Sequence, residues 1–302
     1  MKLKDGVLVR YVEDCCVLNK GTMEYTIIDP DKYYYKIMSK GFFDKDTPDE
    51  IMNFLKENGL VCNEYNQDDV DGYLERNLYY FEAISEDSNI NPIRTQQDLS
   101  QKKIVIIGGG GIGTVVIDNL QRIGIKKFYL IDFDVVEHSN LNRQILFNEN
   151  DVGKNKVHAI SEKVINSVIV DGENIKIQER KDLEIQELYD ADFVVNCADT
   201  PSNINEIVGS FCFDNRIPFI SGRVGIETGE WGPVYDKSNP FSHQNIYGFK
   251  GKIKGSISPT NSIIGCFIAN EVMLYLTNLI KDYSFYKRKT INFKNLSITV
   301  GD

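Results

Sequence analysis

Three features of the 302-residue chain predict an α/β fold with a doubly wound, mostly parallel sheet. From Lys103 onward, short apolar β-prone runs alternate with segments whose apolar residues recur at helical spacing, the signature of strand–helix–strand units. A glycine run, G-G-G-G-I-G at 108–113, stands between the first such strand and the first such helix. The second strand, KKFYLID, ends in the acid Asp132, 19 residues after Gly113.

Ahead of that sheet, residues 1–65 read as a small module of their own, and 66–302 as the main domain. Val7–Val12 and Cys15–Leu18 are β-prone runs separated by Glu13 and Asp14, a hairpin pattern. Asp29, Pro30 and Asp31 signal the start of a helix that Gly41 ends. Thr47 and Pro48 open a second, in which Ile51, Met52, Phe54 and Leu55 share a buried face before Gly59. A hairpin followed by short helices is a winged-helix-like plan. From Asn63 to Gln101 the chain is polar, with loops expected at NQDDVDG and SEDSNINP and a helix over GYLERNLYYFEAI, which carries Arg76.

Lys103–Ile107 is then a buried strand bounded by glycine. Helices are expected at 114–124, 155–168, 183–190 and 203–215, and strands at 126–132, 175–180, 192–199 and 218–225. Residues 227–258 are rich in Gly, Asn, Ser and Lys without periodicity, which suggests a functional loop or crossover. SPTNSIIGCFIANEVMLYLTNLI forms a long buried helix, and KTINF and SITV close the chain as two strands paired through a turn at Lys294 and Asn295.

Composition narrows the function. The formal charge is −10, and residues 1–100 hold 20 acidic and 11 basic side chains against 24 and 23 in the remainder. That balance disfavours nucleic acid as the main partner, since phosphate contacts need clustered Lys and Arg. It suits solubility, or an acidic face that attracts a basic ligand or peptide. No apolar run reaches the 18 or so residues of a membrane helix, and the amino end lacks a signal-peptide core, so no membrane association and a cytoplasmic location are expected. Six cysteines, at 15, 16, 62, 197, 212 and 266, include no C-x-x-C pair, and only three histidines occur. Neither a zinc site nor a disulfide framework is expected, and Cys197, Cys212 and Cys266 read as core residues.

Gly108, Gly110 and Gly113 satisfy G-x-G-x-x-G, in which glycine lets the backbone approach phosphates and a helix N-terminus offers free amides. With Asp132 placed where a ribose-binding acid belongs, this alone favours a dinucleotide and an NAD or FAD oxidoreductase. The following segment points elsewhere. A hydride-transfer enzyme has no general need for S-N-L-N-R-Q at 139–144 followed by D-V-G-K-N-K at 151–156.

The glycine loop, L-I-D-F-D at 130–134, S-N-L-N-R-Q and V-G-x-x-K together resemble the adenylating core of the ubiquitin-activating-enzyme-like family. That family includes the ThiF and MoeB sulfur-carrier activators and the MccB peptide adenylator, and the similarity runs from about residue 74 to the end. The resemblance implies that Gly108, Gly110, Gly111 and Gly113 form the phosphate and adenosine loop of an ATP site and that Asp132 takes the ribose hydroxyls, with Asp134 nearby. It implies that Asn140 and Arg143 contact the triphosphate, that Lys156 reaches the α-phosphate region, and that Asp199 binds Mg2+. Arg76, in R-N-L-Y-Y-F, resembles the arginine that a partner subunit contributes in trans, which implies a homodimer.

Two departures from the family bear on the reaction. The segment after W-G-P-V-Y at 231–235 lacks the cysteines that hold zinc in most relatives, so 236–257 must be held otherwise. No cysteine lies between 213 and 265, which disfavours a thioester intermediate. The N-terminal module resembles a precursor-recognition domain, in which a leader peptide adds as a strand to a sheet edge. The expected function is therefore ATP-dependent adenylation of a carboxylate or terminal amide on a small ribosomally made peptide, on the route to a microcin-C-type antibiotic. Pantocin-type carboxylate activation for cyclisation, sulfur-carrier activation and a non-catalytic precursor-binding protein are the alternatives.

Overall fold

The computed structural model describes residues 1–66, 72–165, 167–242, 254–281 and 283–301. These fold as two compact units, 1–98 with 277–282, and 99–276 with 283–302.

In the first unit β1 (Lys2–Leu3) is followed by β2 (Val7–Val12), β3 (Cys15–Lys20) and β4 (Met23–Ile28). The last three form an antiparallel meander. Val12 pairs with Cys15, so Glu13 and Asp14 alone make the turn, both at positive φ (48° and 58°), as a hairpin that follows strand twist requires. The hairpin thus lies where the sequence places it, and β4 is a strand that the sequence reading omits. Asp29 initiates α1 (Tyr33–Met38) by accepting from the amides of Tyr34 (3.2 Å) and Tyr35 (2.8 Å). In α2 (Asp49–Glu57) Ile51 and Leu55, one turn apart, are buried, whereas Met52 and Phe54 are half-buried. The core joins these to Cys16, Leu18, Met38, Phe43 and Leu60.

The unit extends past the expected boundary at residue 65. After β5 (Val61–Cys62), paired with β1, comes α3 (Glu75–Ile84). Its Glu82 is fully buried and accepts from Lys2 Nζ (2.8 Å), the Asp5 amide (2.6 Å) and Tyr65 Oη (2.5 Å). Buried Lys4 donates to the carbonyls of Ser85 (2.7 Å) and Asp87 (3.0 Å). Charged groups tie α3 to the first residues of the chain, and burial of Leu78 and Phe81 completes the seal. The polar helix α4 (Pro92–Gln101) has no counterpart in the sequence reading, because its apolar face is reduced to Ile93 and Leu99.

The second unit contains β6 (Lys103–Ile107), α5 (Gly111–Arg122), β7 (Lys127–Ile131), α6 (Lys156–Ser161), β8 (Ile169–Glu173), α7 (Gln186–Tyr189) and β9 (Phe193–Asn196). After these come α8 (Ile204–Asn215), β10 (Phe219–Val224), β11 (Thr228–Trp231), α9 (Ser258–Thr277), β12 (Arg288–Asn292) and β13 (Ile298–Gly301). One sheet runs β13-β12-β11-β10-β9-β6-β7-β8. Its five strands from β10 to β8 are parallel, and the rest are antiparallel. The chain winds outward from β6 through β7 to β8, then returns to place β9 on the other side of β6. The strand order therefore reverses between β6 and β9, the point at which open α/β sheets bind ligands.

Several expected elements shift. The strand beside β7 is Ile169–Glu173, not 175–180, and α6 stops at Ser161. β8 was hidden because its sequence, IVDGE, contains glycine and two acids; Gly172 is needed there because a side chain would overlap the Leu130 carbonyl. β11, TGEW, was likewise concealed within the segment expected as a loop. Cys212 is buried and Cys197 half-buried, but Cys266 is exposed on α9, 3.7 Å from Asn119 Nδ2, and is no core residue. The closing hairpin, β12 with β13, is as expected.

A buried carboxylate fastens α9 to the antiparallel strands. Glu271 accepts from Trp231 Nε1 (2.9 Å) and from Lys289 Nζ (2.5 Å), with Glu271 and Lys289 0% and 4% exposed. The start of the crossover segment is held by Asp236, which accepts from Tyr275 Oη (2.7 Å), Tyr286 Oη (3.1 Å) and the amides of Ser238 and Asn239. The remainder of that segment, 243–253, lies outside the described residues. Glu271→Ala strands the Lys289 ammonium in the core and is expected to cost about 3–5 kcal/mol in urea unfolding; a loss below about 1 kcal/mol would show that the pair is not holding α9.

Candidate active site

The loop from Gly108 to Gly113 lies at the reversal between β6 and β9. Gly108 has φ +93°, and a Cβ there would come within 2.9 Å of the Ala198 amide in the loop after β9. A Cβ at Gly113 would overlap the Gly108 carbonyl, so the first turn of α5 can rest on the strand end only with glycine there. Gly111 is excluded from bearing a side chain by Asn261 Oδ1 of α9. Gly110, the non-helical residue before α5, differs: its nearest neighbour is Gln144 Nε2, 4.0 Å from where a Cβ would stand. The opening before the α5 amides is at Gly110, and the other three positions owe their glycine to packing within the protein.

Asp132, 7% exposed, joins the loop to β7. Its Oδ2 accepts from the Gly109 amide (2.6 Å) and its Oδ1 from the Asp134 amide (2.7 Å). Burial raises its pKa, against the opposing effects of Lys156 and the two amides. Each oxygen keeps a second lone pair with which to meet a hydroxyl.

Lys156, 4% exposed, donates to Asp134 Oδ2 at 2.8 Å, and its amide donates to the Asp134 carbonyl (3.0 Å). The turn that presents it is built on Asp151, whose buried carboxylate caps the Asn148 amide (2.9 Å) and pairs with Lys154 and Lys163, both at 3.2 Å. Asp151 is a site-building residue that the motif reading passed over. The D-V-G-K-N-K spelling contains its signal, an acid three residues before a lysine.

Asn140 organises the preceding turn. It is 7% exposed, its Oδ1 accepts from the Glu137 amide (3.1 Å), and its carbonyl accepts from the amides of Arg143 and Gln144, each at 3.0 Å. Half-buried Arg143 donates through Nη1 to the Ser139 carbonyl and to Asn142 Oδ1, both 2.9 Å. Gln144, also unassigned from sequence, is 3% exposed, and among the described residues its Oε1 has no hydrogen-bond partner. An orphaned polar atom beside a helix N-terminus is costly, of order 1–3 kcal/mol, unless a ligand meets it.

Asp199 is exposed in the loop that Gly108 touches, its Oδ1 accepting from Thr200 Oγ1 (3.1 Å). Among the described residues no group of three or more His, Cys, Asp and Glu could enclose a metal ion. Magnesium requires no such cage, because it is commonly held by one or two carboxylates together with substrate phosphates, and Asp199 fits that role. The glycine loop, Asp132, Asp134, Asn140, Arg143 and Lys156 come together with Asp199 in the second unit. Arg76 stands on the exposed side of α3 in the first.

Fold and site define a nucleotide-binding α/β protein whose site combines a helix N-terminus, a buried acid and two cations. The chain belongs to the ThiF family, whose profile matches residues 74–301. It is 29% identical over 189 residues to the molybdopterin-synthase adenylyltransferase of Haemophilus influenzae, covering 59% of this chain and 76% of that protein. It is 27% identical over 202 residues to the adenylyltransferase and sulfurtransferase MOCS3 of Xenopus laevis, covering 64% of this chain but spanning only 44% of that relative's length. In structure it resembles E. coli MccB with ATP, with a TM-score of 0.79 at 23% identity over 100% of this chain and 96% of that one. The microcin C7 biosynthetic enzyme MccB with N-formylated MccA matches over the same shares, with a TM-score of 0.80 at 24% identity. Among the described residues no helix is long and apolar enough to cross a membrane.

The glycines make a paired test. Gly113→Ala is expected to lower stability by about 1–3 kcal/mol through overpacking. Gly110→Ala should stay within about 0.5 kcal/mol of the parent while weakening ATP binding. Thermal unfolding and calorimetric titration with ATP check both, and equal behaviour of the two variants would mean that the opening is elsewhere.

Proposed function

We propose that the protein is an ATP-dependent adenylyltransferase that activates a carboxylate or terminal amide on a small ribosomally made peptide. The attacking oxygen or nitrogen forms a bond to the α-phosphorus of ATP, the bond to the bridging oxygen breaks, and pyrophosphate leaves; an attacking amide nitrogen also releases one proton to solvent. Charge then accumulates on the departing phosphates, and fixed cations that meet it lower the barrier. Lys156, buried and paired with Asp134 at 2.8 Å, is placed for the α-phosphate. Arg143 meets the outer phosphates, and the α5 amides beyond Gly110 supply a further positive end. Asp132 receives the ribose. Asp199 would hold Mg2+, which neutralises phosphate charge when bound. No side chain has to act as nucleophile.

The observation that carries the peptide reading is coverage. The curated relatives named above align with 59% and 64% of the chain, whereas the MccB fold extends over all of it, including the N-terminal unit. That unit offers a three-stranded sheet in which, among the described residues, β2 and β4 each have only one neighbour, so a leader peptide or whole precursor can add as a strand. The acidic excess of residues 1–100 suits a basic peptide. In this reading the enzyme works as a homodimer, with Arg76 acting on the partner subunit's nucleotide. The microcin-type product, a peptide left joined to the nucleotide, fits the absence of a cysteine between 213 and 265. Sulfur-carrier activation is the second reading, favoured by the names of the sequence relatives.

Asp199→Ala and Arg143→Ala are each expected to reduce peptide-dependent pyrophosphate release by about a hundredfold or more while peptide binding survives. The substrates to use are short peptides encoded beside this protein's own reading frame, with mass spectrometry of the product. Release at the parent rate in both variants defeats the assignment. If purified sulfur-carrier proteins with free C-terminal carboxylates are adenylated and the peptides are not, the second reading holds. A mixing experiment tests the dimer: inactive Arg76→Ala and Asp199→Ala proteins, combined and allowed to exchange subunits, should regain activity, because one site of the mixed dimer then has both residues. No recovery in demonstrably mixed dimers removes the trans role.

A further inference from the structure

Arg143 is connected to the glycine loop by a chain of polar contacts running through the far end of the crossover segment. Its Nη1 donates to Asn142 Oδ1 (2.9 Å), and Asn142 Nδ2 donates to the Ser256 carbonyl (2.9 Å), 114 residues away in sequence. Ser256 Oγ accepts from Asn261 Nδ2 (2.9 Å), which also reaches the Ile257 carbonyl (2.7 Å). Asn261, 5% exposed in the first turn of α9, then lies directly against Gly111, so closely that no side chain fits there. Gly255 is seated on Ile226, where a Cβ would come within 2.7 Å of Ile226 Cδ1. The segment 255–257 is thus fixed from three directions, by the arginine turn, by α9 and by the loop before β11.

We infer that Asn142, Ser256 and Asn261 are positioning residues that set the direction of the Arg143 guanidinium relative to the amino end of α5. This rests on the proposed ATP site and adds to it three residues outside the nucleotide motifs. The physical reason is geometric. A guanidinium on a flexible stem loses side-chain entropy when it engages phosphate, and a neighbour that already holds one nitrogen reduces that loss. Asn142 suits the task because an amide accepts from the guanidinium through its oxygen while its nitrogen anchors on a backbone carbonyl. With Nη1 held in this way, the same guanidinium still has Nη2 and Nε donors to offer a phosphate. Asn261 performs the matching task for the helix, holding 256–257 and bearing on Gly111 at once. Placement of residues 255–257 and placement of the arginine are therefore one event.

The test uses the full chain and compares binding of ATP and AMP, each with Mg2+, by calorimetric titration. Only ATP has the outer phosphates that Arg143 meets. Asn142→Ala should weaken ATP binding about tenfold, the size of one hydrogen bond to a charged group, and leave AMP binding unchanged. Arg143→Ala should show the same selectivity, and the double variant should bind ATP no more weakly than Arg143→Ala alone. Asn261→Ala should also weaken ATP more than AMP, and Asn142, being exposed, decides the matter if that variant fails to fold. Equal losses for ATP and AMP, or additive losses in the double variant, overturn the inference. Parent protein that binds no ATP would instead overturn the proposed function. ATP binding that responds to Arg143→Ala but not to Asn142→Ala overturns only the positioning role.

Discussion

The carboxylate of Asp132 is the constraint on which the nucleotide-site architecture depends. It sits at the end of β7, almost without water, and spends its oxygens on the amides of Gly109 and Asp134. Removing a charge from water is unfavourable, and burial accordingly raises the pKa of this group. Two backbone donors and the nearby Lys156 ammonium offset that cost. In return, one side chain fixes the glycine loop after β6 and the turn after β7 in a single arrangement. Asp134, placed by that turn, then holds Lys156. A loop free to move would present its amides to the ligand only part of the time.

The same device recurs throughout the molecule. Glu82, Asp151 and Glu271 are each fully buried and each gathers two or more donors, from distant segments at Glu82 and Glu271 and from the surrounding turn at Asp151. Glu82 closes the first unit, Asp151 shapes the turn before Lys156, and Glu271 secures α9 to the antiparallel strands. Hydrophobic burial is non-directional and fills the sheet's core with Ile, Val, Leu and Phe. Directional, charge-assisted bonds are used where irregular segments must meet in one way only. Removing one partner leaves an uncompensated charge, so these junctions tolerate little variation.

Most of the second unit was readable because its strands are buried on both faces and spell near-continuous apolar runs. Lys103–Ile107 and Phe193–Asn196 are examples. What escaped reading there was polar or glycine-containing. IVDGE and TGEW are strands held by sheet neighbours rather than by their own propensity. PIRTQQDLSQ is a helix whose face has too few apolar residues to reveal a period. Cys266 lies amid apolar residues yet faces outward, because α9 is apolar on nearly all sides and its orientation is set by what packs against it.

The sequence by itself determined the order of strands and helices around β6, the glycine loop with its acid, and the arginine and lysine motifs. These are local, and each follows from spacing along one or two elements. Only the tertiary structure decided why each glycine is glycine, since three of the four assigned to the ligand are required by Ala198, by Asn261 and by the loop's own carbonyl. It also decided that Asp132 is a junction, that Asp151 builds the turn before Lys156, and that Asn142 and Asn261 lie at opposite ends of one polar chain through Ser256. The Asp151 turn is local, but the Asp132–Gly109 and Asn142–Ser256 contacts join residues 23 and 114 positions apart. Linear spacing does not encode the distance between two ends of a folded chain, and the reversal between β6 and β9 is what brings them together.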